Sequence, residues 1–207
     1  MKTRGLYAIV DPAHLGAHSA LDLTRKVLRG GCAALQLRAK NLSDRERLDL
    51  ARAMRALCKE HDVPFVMNDR LDLALLAGAD GVHLGQDDLP LLEARTLAPS
   101  MWIGISTHSL AQAKAAARDG ADIIGYGPVF TTASKDKPDP VVGLPALREV
   151  VRAVSIPVVA IGGITVERVP EVVKTGVPYL AVISALSAST TPDLVAKSIH
   201  AQIAAPP

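Results

Sequence analysis

Short apolar runs alternate with amphipathic stretches along the chain. The runs are GLYAIV, AALQLR, PFVMN, GVHLG, WIGIS, DIIGYGPV, PVVAIGG and YLAVIS. Each has the length of a strand and not of a helix. Between them, apolar positions recur at helical intervals. Ser43 and Glu46 stand at capping-box spacing, and Leu48, Ala51, Met54, Ala56 and Leu57 continue that stretch as a helix. Ser109 and Gln112 open a second helix in the same way. Thr191-Pro192 reads as an N-cap followed by the first helical position, with Asp193 favourable in the first turn. Gly30, Gly120 and Gly176 are placed to stop helices. One stretch breaks the pattern. ITVERVPEVVKTG reads as a helix capped by Thr165, yet Pro170 falls too deep for the first turn. That helix must kink at Pro170 or start late.

Eight strands alternating with helices, at roughly 25 residues per unit, imply a parallel sheet. The simplest arrangement is a closed (β/α)8 TIM barrel, with residues 1–207 as one domain near the lower size limit of that fold. An open doubly wound sheet is the competing architecture. No G-x-G-x-x-G follows the first strand, which weighs against it.

Composition narrows the picture. Aromatic residues are only 3% of the chain while 49% is apolar, so the core is built from Ala, Val, Leu and Ile. The net charge of +2 comes without long runs of either sign, which gives no electrostatic case for nucleic acid or a membrane surface. No stretch approaches the ~20 apolar residues of a membrane span. The apolar stretch before Asp11-Pro12 is too short for a signal peptide core and cleavage site, so a cytoplasmic protein is expected. Cys32 and Cys58 read as buried hydrophobes, not as a disulfide framework.

The chemistry gathers at strand ends, where such a barrel holds its active site. In QLRAK, alternation puts Gln36, Arg38 and Lys40 on one face and Leu35, Leu37 and Ala39 on the other. The first face carries an amide and two cations, and needs an anion or water. Asp11 ends the first strand and Asn68-Asp69 the third. The fourth runs through His83 towards Asp87 and Asp88, and the fifth ends in Ser106-Thr107-His108.

Two anion sites follow. Gly162-Gly163 and Ser184, where the last two strands turn towards helices, can present main-chain N–H groups to a phosphate. Alternatively, these glycines only permit a tight turn. The second site combines Arg38, Lys40 and Lys135 with Asp69 and Asp88. Those charges read equally well as salt bridges and as a diphosphate site with Mg²⁺, which binds through one or two carboxylates plus substrate phosphates. Asn68 can donate to a phosphate oxygen there. Zinc lacks a second ligand at the right spacing from His83 or His108. A Ser106–His108–Asp triad is weakly indicated, because no G-x-S-x-G elbow is present. Lys135 sits in a polar loop ill-suited to a Schiff-base lysine. That loop is long for the architecture, as lids often are.

Taken in order, QLRAK, MND, HLGQDD, GIST, GPVFTTASK, AIGGI and VISA resemble the thiamine-phosphate synthase family over almost the whole chain. The resemblance implies a barrel transferase that joins hydroxymethylpyrimidine diphosphate to hydroxyethylthiazole phosphate. It implies a dissociative displacement with one Mg²⁺ per site. By motif position, Gln36, Arg38, Lys40, Asn68, Ser106 and Lys135 would meet the pyrimidine diphosphate, and Asp69 and Asp88 the metal. Arg38, Lys40, Lys135 and Ser106 would be the catalytic set. Thr132, Ala133, Ser134, Gly163, Ile183 and Ser184 would hold the thiazole phosphate. A homodimer is the assembly common in the family. The chain departs from it at Ala39, where many members carry Glu, and at Ser134, where Thr is frequent. Pro170 is also unusual. None of these removes a charged ligand. Two other readings remain: a thiazole tautomerase of the same fold, in which His108 would work, and a non-catalytic barrel that binds a thiamine precursor.

Overall fold

Alternation along β2 (Ala34–Leu37) decides how the molecule is layered. Leu35 and Leu37, with Ala39 beyond them, pack outward under the helices, while Ala34 faces the interior among Tyr7, Ile9, Val66, Ile123, Val159, Tyr179 and Ala181. The structure, a computed structural model, describes residues 4–132 and 139–204.

The remaining strands are β1 (Gly5–Val10), β3 (Phe65–Asn68), β4 (Gly81–Leu84), β5 (Trp102–Thr107), β6 (Ile123–Tyr126), β7 (Val158–Ile161) and β8 (Tyr179–Val182). They pair in sequence order, all parallel, and β8 returns to β1 to close the ring. The fold is therefore a single (β/α)8 barrel. Its helices are α1 (Ala20–Gly30), α2 (Asp44–Glu60), α3 (Leu71–Ala77), α4 (Leu91–Leu97), α5 (Leu110–Arg118), α6 (Gly143–Ala153), α7 (Val169–Val173), α8 (Ser184–Ser187) and α9 (Pro192–Ala204).

Local chemistry explains the boundaries. The Ser43 side chain accepts from the Glu46 N–H, and Glu46 returns a bond to the Ser43 N–H, so the capping box that opens α2 is complete. At α5 the box is only half made: Ser109 accepts from the Gln112 N–H, but Gln112 Oε1 reaches back to the His108 N–H at 2.7 Å. α1 runs through Gly30, and Gly31, at φ 93°, is its cap. Pro170 delays its helix. A 3₁₀ turn spans Val166–Arg168, and α7 begins at Val169 with the proline in its first turn, where a missing N–H costs nothing.

Three aromatic side chains, Tyr7, Tyr179 and Trp102, gather in the interior cluster. Tyr7 stacks on Trp102 with ring centroids 6.4 Å apart and fills part of the barrel interior. No helix among the described residues is long and apolar enough to cross a membrane. Cys32 and Cys58 are both buried, and neither is in a disulfide.

Candidate functional site

One pocket at the C-terminal ends of the strands is lined by residues from both sides of the ring. Its β2 side carries Gln36 and Arg38 of the QLRAK face. Gln36 is buried and its Nε2 donates to the Tyr7 hydroxyl at 2.9 Å. Burial pushes the Tyr7 hydroxyl well above the usual phenol range, and the bond from Gln36 offsets part of that. Because Val10 lies beside Leu37 in the ladder, Asp11 and Arg38 are next in register. Arg38 Nη1 donates to Asp11 Oδ2. Asp11 is 1% exposed and also accepts from the Ala13 N–H at 2.9 Å, with His14 Nδ1 3.3 Å away. Arg38 is thus held by a buried carboxylate.

Lys40 has its own partner. Its Nζ lies 3.0 Å from Asp69 Oδ2. Asp69 adopts φ 64°, a left-handed conformation uncommon outside glycine, and its N–H bonds the His83 carbonyl at 2.8 Å. Asp88 accepts from the Gly85 N–H at 2.6 Å. Its carboxyl is held above the usual range by burial, which the Gly85 bond opposes and the neighbouring Asp69 carboxylate reinforces. Two carboxylates set against each other beside one cation suit a divalent ion, which would relieve their repulsion. No group of three or more His, Cys, Asp or Glu side chains among the described residues could hold a metal. Other oxygens, such as substrate phosphates, would have to complete its shell. The salt-bridge and metal readings of these charges are therefore compatible. Asn68 lines the pocket with Gln36 and Arg38, whereas Lys40, Asp69 and Asp88 are not among its lining residues.

Ser106 does not join a triad with His108. Its Oγ is 3.1 Å from His83 Nε2. The His83 ring occupies space that glycine leaves open: a Cβ at Gly104 would lie 2.5 Å from its Nδ1, and one at Gly125 3.2 Å from its Nε2. His108 Nδ1 meets the Gly127 carbonyl at 2.6 Å, so that nitrogen carries the proton, and Nε2 faces Asp139 at 3.5 Å.

The β7–β8 side is built from main chain. Gly162, Gly163, Ile164, Ile183 and Ser184 line the pocket. The N–H groups of Gly163, Ile164, Ile183 and Ser184 donate to no backbone carbonyl among the described residues. Gly163 has φ 63°, and a Cβ there would sit 2.3 Å from the Thr131 carbonyl oxygen. The glycine is thus required by both conformation and close approach. Thr132 also lines the pocket. Ala133, Ser134 and Lys135, and with them most of the long loop, lie outside the described residues.

Sequence reasoning missed Tyr7 as the partner of Gln36, His83 as the partner of Ser106 and Asp139 as a pocket residue. Asp11 was visible as a strand end, but its bond to Arg38 was not. Each pairing joins neighbouring parts of the ring that are distant in sequence, so no local spacing could reveal it.

Comparison with known proteins adds an independent line. The family model described as thiamine monophosphate synthase matches residues 6–186. A thiamine-phosphate synthase from Chlorobium phaeovibrioides is 46% identical over 180 residues, 86% of each chain. One from Methanoculleus marisnigri is 44% identical over 97% of this chain and 95% of its own. The solved structure of a thiamine phosphate pyrophosphorylase from Pyrococcus furiosus superimposes with a TM-score of 0.89 at 39% identity, covering 97% of this chain and 96% of that one.

Proposed function

The chain belongs to the thiamine monophosphate synthase family and is a transferase, and on that premise we propose that it condenses hydroxymethylpyrimidine diphosphate with hydroxyethylthiazole phosphate. The products are thiamine phosphate and diphosphate. The observation that carries this reading is the two-sided pocket. Arg38, Gln36 and Asn68 line one side, with the Lys40–Asp69 pair and Asp88 at the neighbouring strand ends, and open main-chain N–H groups line the other. Each side suits one phosphorylated substrate.

In this reading Gln36, Arg38, Lys40, Asn68, Ser106 and Lys135 receive the pyrimidine diphosphate. The leaving group gathers negative charge as its C–O bond breaks, and fixed cations favour that state over the ground state. The Asp11 contact keeps the Arg38 guanidinium in place before substrate arrives, so less reorganisation is needed during the reaction. Asp69 and Asp88 are the residues that would hold Mg²⁺. Bound there, the ion would neutralise diphosphate charge. Thr132, Ala133, Ser134, Gly163, Ile183 and Ser184 receive the thiazole phosphate. The attacking thiazole nitrogen has no proton to lose, so no general base is required of His83 or His108.

Two observations bear on the rival readings. His108, fixed by the Gly127 carbonyl with Nε2 towards Asp139, lies in the same pocket and is the feature favouring a tautomerase. The Arg38, Lys40, Asp69 and Asp88 cluster has no task in such a proton transfer. The test is diphosphate release by the purified protein with pyrimidine diphosphate, thiazole phosphate and Mg²⁺, each omitted in turn. Release together with thiamine phosphate only in the complete mixture is the expected result. No release in any mixture would overturn the reading and move the tautomerase or carrier reading ahead.

A further inference from the structure

The main-chain cradle needs something to hold its peptides in one orientation, and glycine alone does the opposite. Arg168 sits behind it. Its Nη1 donates to the Gly163 carbonyl at 2.7 Å, and its guanidinium carbon lies 4.4 Å from the centre of the Phe130 ring. Arg168 is not among the residues that line the pocket. Its own N–H is fixed by the Thr165 carbonyl at 3.1 Å.

Phe130 belongs to the segment leading to Thr132. That segment is laced to the end of β7, with Val129 N–H on the Ile161 carbonyl at 2.8 Å and Phe130 N–H on the Gly162 carbonyl at 3.0 Å. Arg168 continues the lacing by one more residue. It grips Gly163 with one nitrogen while its guanidinium carbon sits over the Phe130 ring, a double contact that the forked guanidinium supplies better than an ammonium.

We propose that Arg168 is a positioning residue for the phosphate cradle, acting through the Gly163–Ile164 peptide and through Phe130, and not by its charge on the ligand. A trans peptide is planar, so its C=O and N–H point in opposite directions. Drawing the Gly163 oxygen towards Arg168 turns the Ile164 N–H away from it, to the pocket side. That N–H donates to no backbone carbonyl among the described residues. Gly163, at φ 63° with no Cβ, would otherwise be the freest joint in the cradle. Stacking on Phe130 fixes the approach to Thr132 by the same stroke, so both walls of the phosphate subsite share one clamp.

The inference rests on the thiazole-phosphate assignment above. The experiment is steady-state kinetics of wild type, Arg168→Met, Arg168→Lys and Phe130→Leu, varying each substrate separately, with thermal melts alongside. Arg168→Met is expected to raise KM for thiazole phosphate roughly tenfold, the effect of losing one charge-assisted hydrogen bond, while KM for pyrimidine diphosphate and kcat stay within about twofold. Phe130→Leu should shift the same constant in the same direction by less, and Arg168→Lys should fall between wild type and Arg168→Met. A lowered melting temperature with unchanged KM would reduce Arg168 to a structural role and overturn the proposal. Full recovery in Arg168→Lys with a neutral Phe130→Leu would show that charge alone matters, and would overturn it too. Should Arg168→Met fail to fold, the other two variants decide. A wild-type enzyme whose rate does not saturate with thiazole phosphate would instead sink the substrate assignment, and this inference with it.

Discussion

Three positions show how much hangs on single side chains. Gly163 cannot carry a Cβ, which would meet the Thr131 carbonyl at 2.3 Å in a backbone conformation that already favours glycine. On the proposed reading, Gly163→Ala should therefore cripple thiazole-phosphate affinity while leaving the other substrate's KM unchanged, as kinetics varying one substrate at a time would show. Asp11 is a buried carboxylate whose partner Arg38 is 16% exposed. Asp11→Asn keeps the shape and strands a cation. Its cost should sit near the lower end of about 3–5 kcal/mol, read by denaturant unfolding. Cys58 is fully buried, and burial pushes its thiol up to about 12. Native protein at pH 8 should leave it untouched by a thiol reagent until the chain unfolds. The raised value also sets a sign. The protonated thiol is favoured in the fold, so this contribution is whole at neutral pH. It is lost as pH rises from about 8.5, the ordinary thiol value, towards 12. Alternation within QLRAK assigned Gln36 and Arg38 to the pocket and Leu35, Leu37 and Ala39 to the core, because period two is local, while Lys40, beyond the end of β2, does not line the pocket. The partners Tyr7, Asp11 and His83 were hidden because ladder register is set by the closed ring.

At the level of elements, caps were the most legible feature and proline the least. Ser43 and Glu46 lie three residues apart, and the reciprocal bonds they imply are present. Ser43→Ala should cost about 1 kcal/mol. The Ser43 side chain and then its backbone hold the Glu46 carboxyl below its usual range. A depressed carboxyl contributes above its unfolded value and loses that contribution as pH falls, so the gap between wild type and Ser43→Ala should narrow in acid melts without closing, because the Ser43 side chain still accepts from the Glu46 N–H. Spacing could not choose between a kink and a late start at Pro170. Tertiary packing chose the late start, with Val169 and Val172 buried and a 3₁₀ turn taking up the slack. The late start also puts Arg168 at the junction between the turn and α7, where it reaches Gly163.

For the whole molecule, counting eight apolar runs was enough to anticipate the barrel, since alternating strands and helices leave few ways to bury both faces of a parallel sheet. Closure has an energetic side. α9 packs on α1 and β1 at the seam where β8 meets β1, and buries Ile199 and Ile203 completely. Those two side chains alone account for roughly 3–6 kcal/mol, a large share of a typical domain's stability. Removing residues 192–207 should abolish the cooperative thermal transition in circular dichroism. The open doubly wound alternative would have left β1 and β8 apart, and their parallel pairing excludes it.

The division between the two sides of the pocket also bears on how the protein tolerates change. Donors on the β7–β8 side belong to the backbone, and exchanging a side chain does not delete a main-chain N–H. On the proposed reading, the β2–β4 side relies on the side chains of Gln36, Arg38, Lys40, Asp69 and Asp88, where each codon is a single point of failure. A library of variants selected for thiamine-independent growth should therefore drift freely at Ser184, with Ser184→Ala only mildly impaired, and stay frozen at Arg38. Mutational robustness would then run around the ring as a gradient, set by whether a contact is made by the chain itself or by what hangs from it.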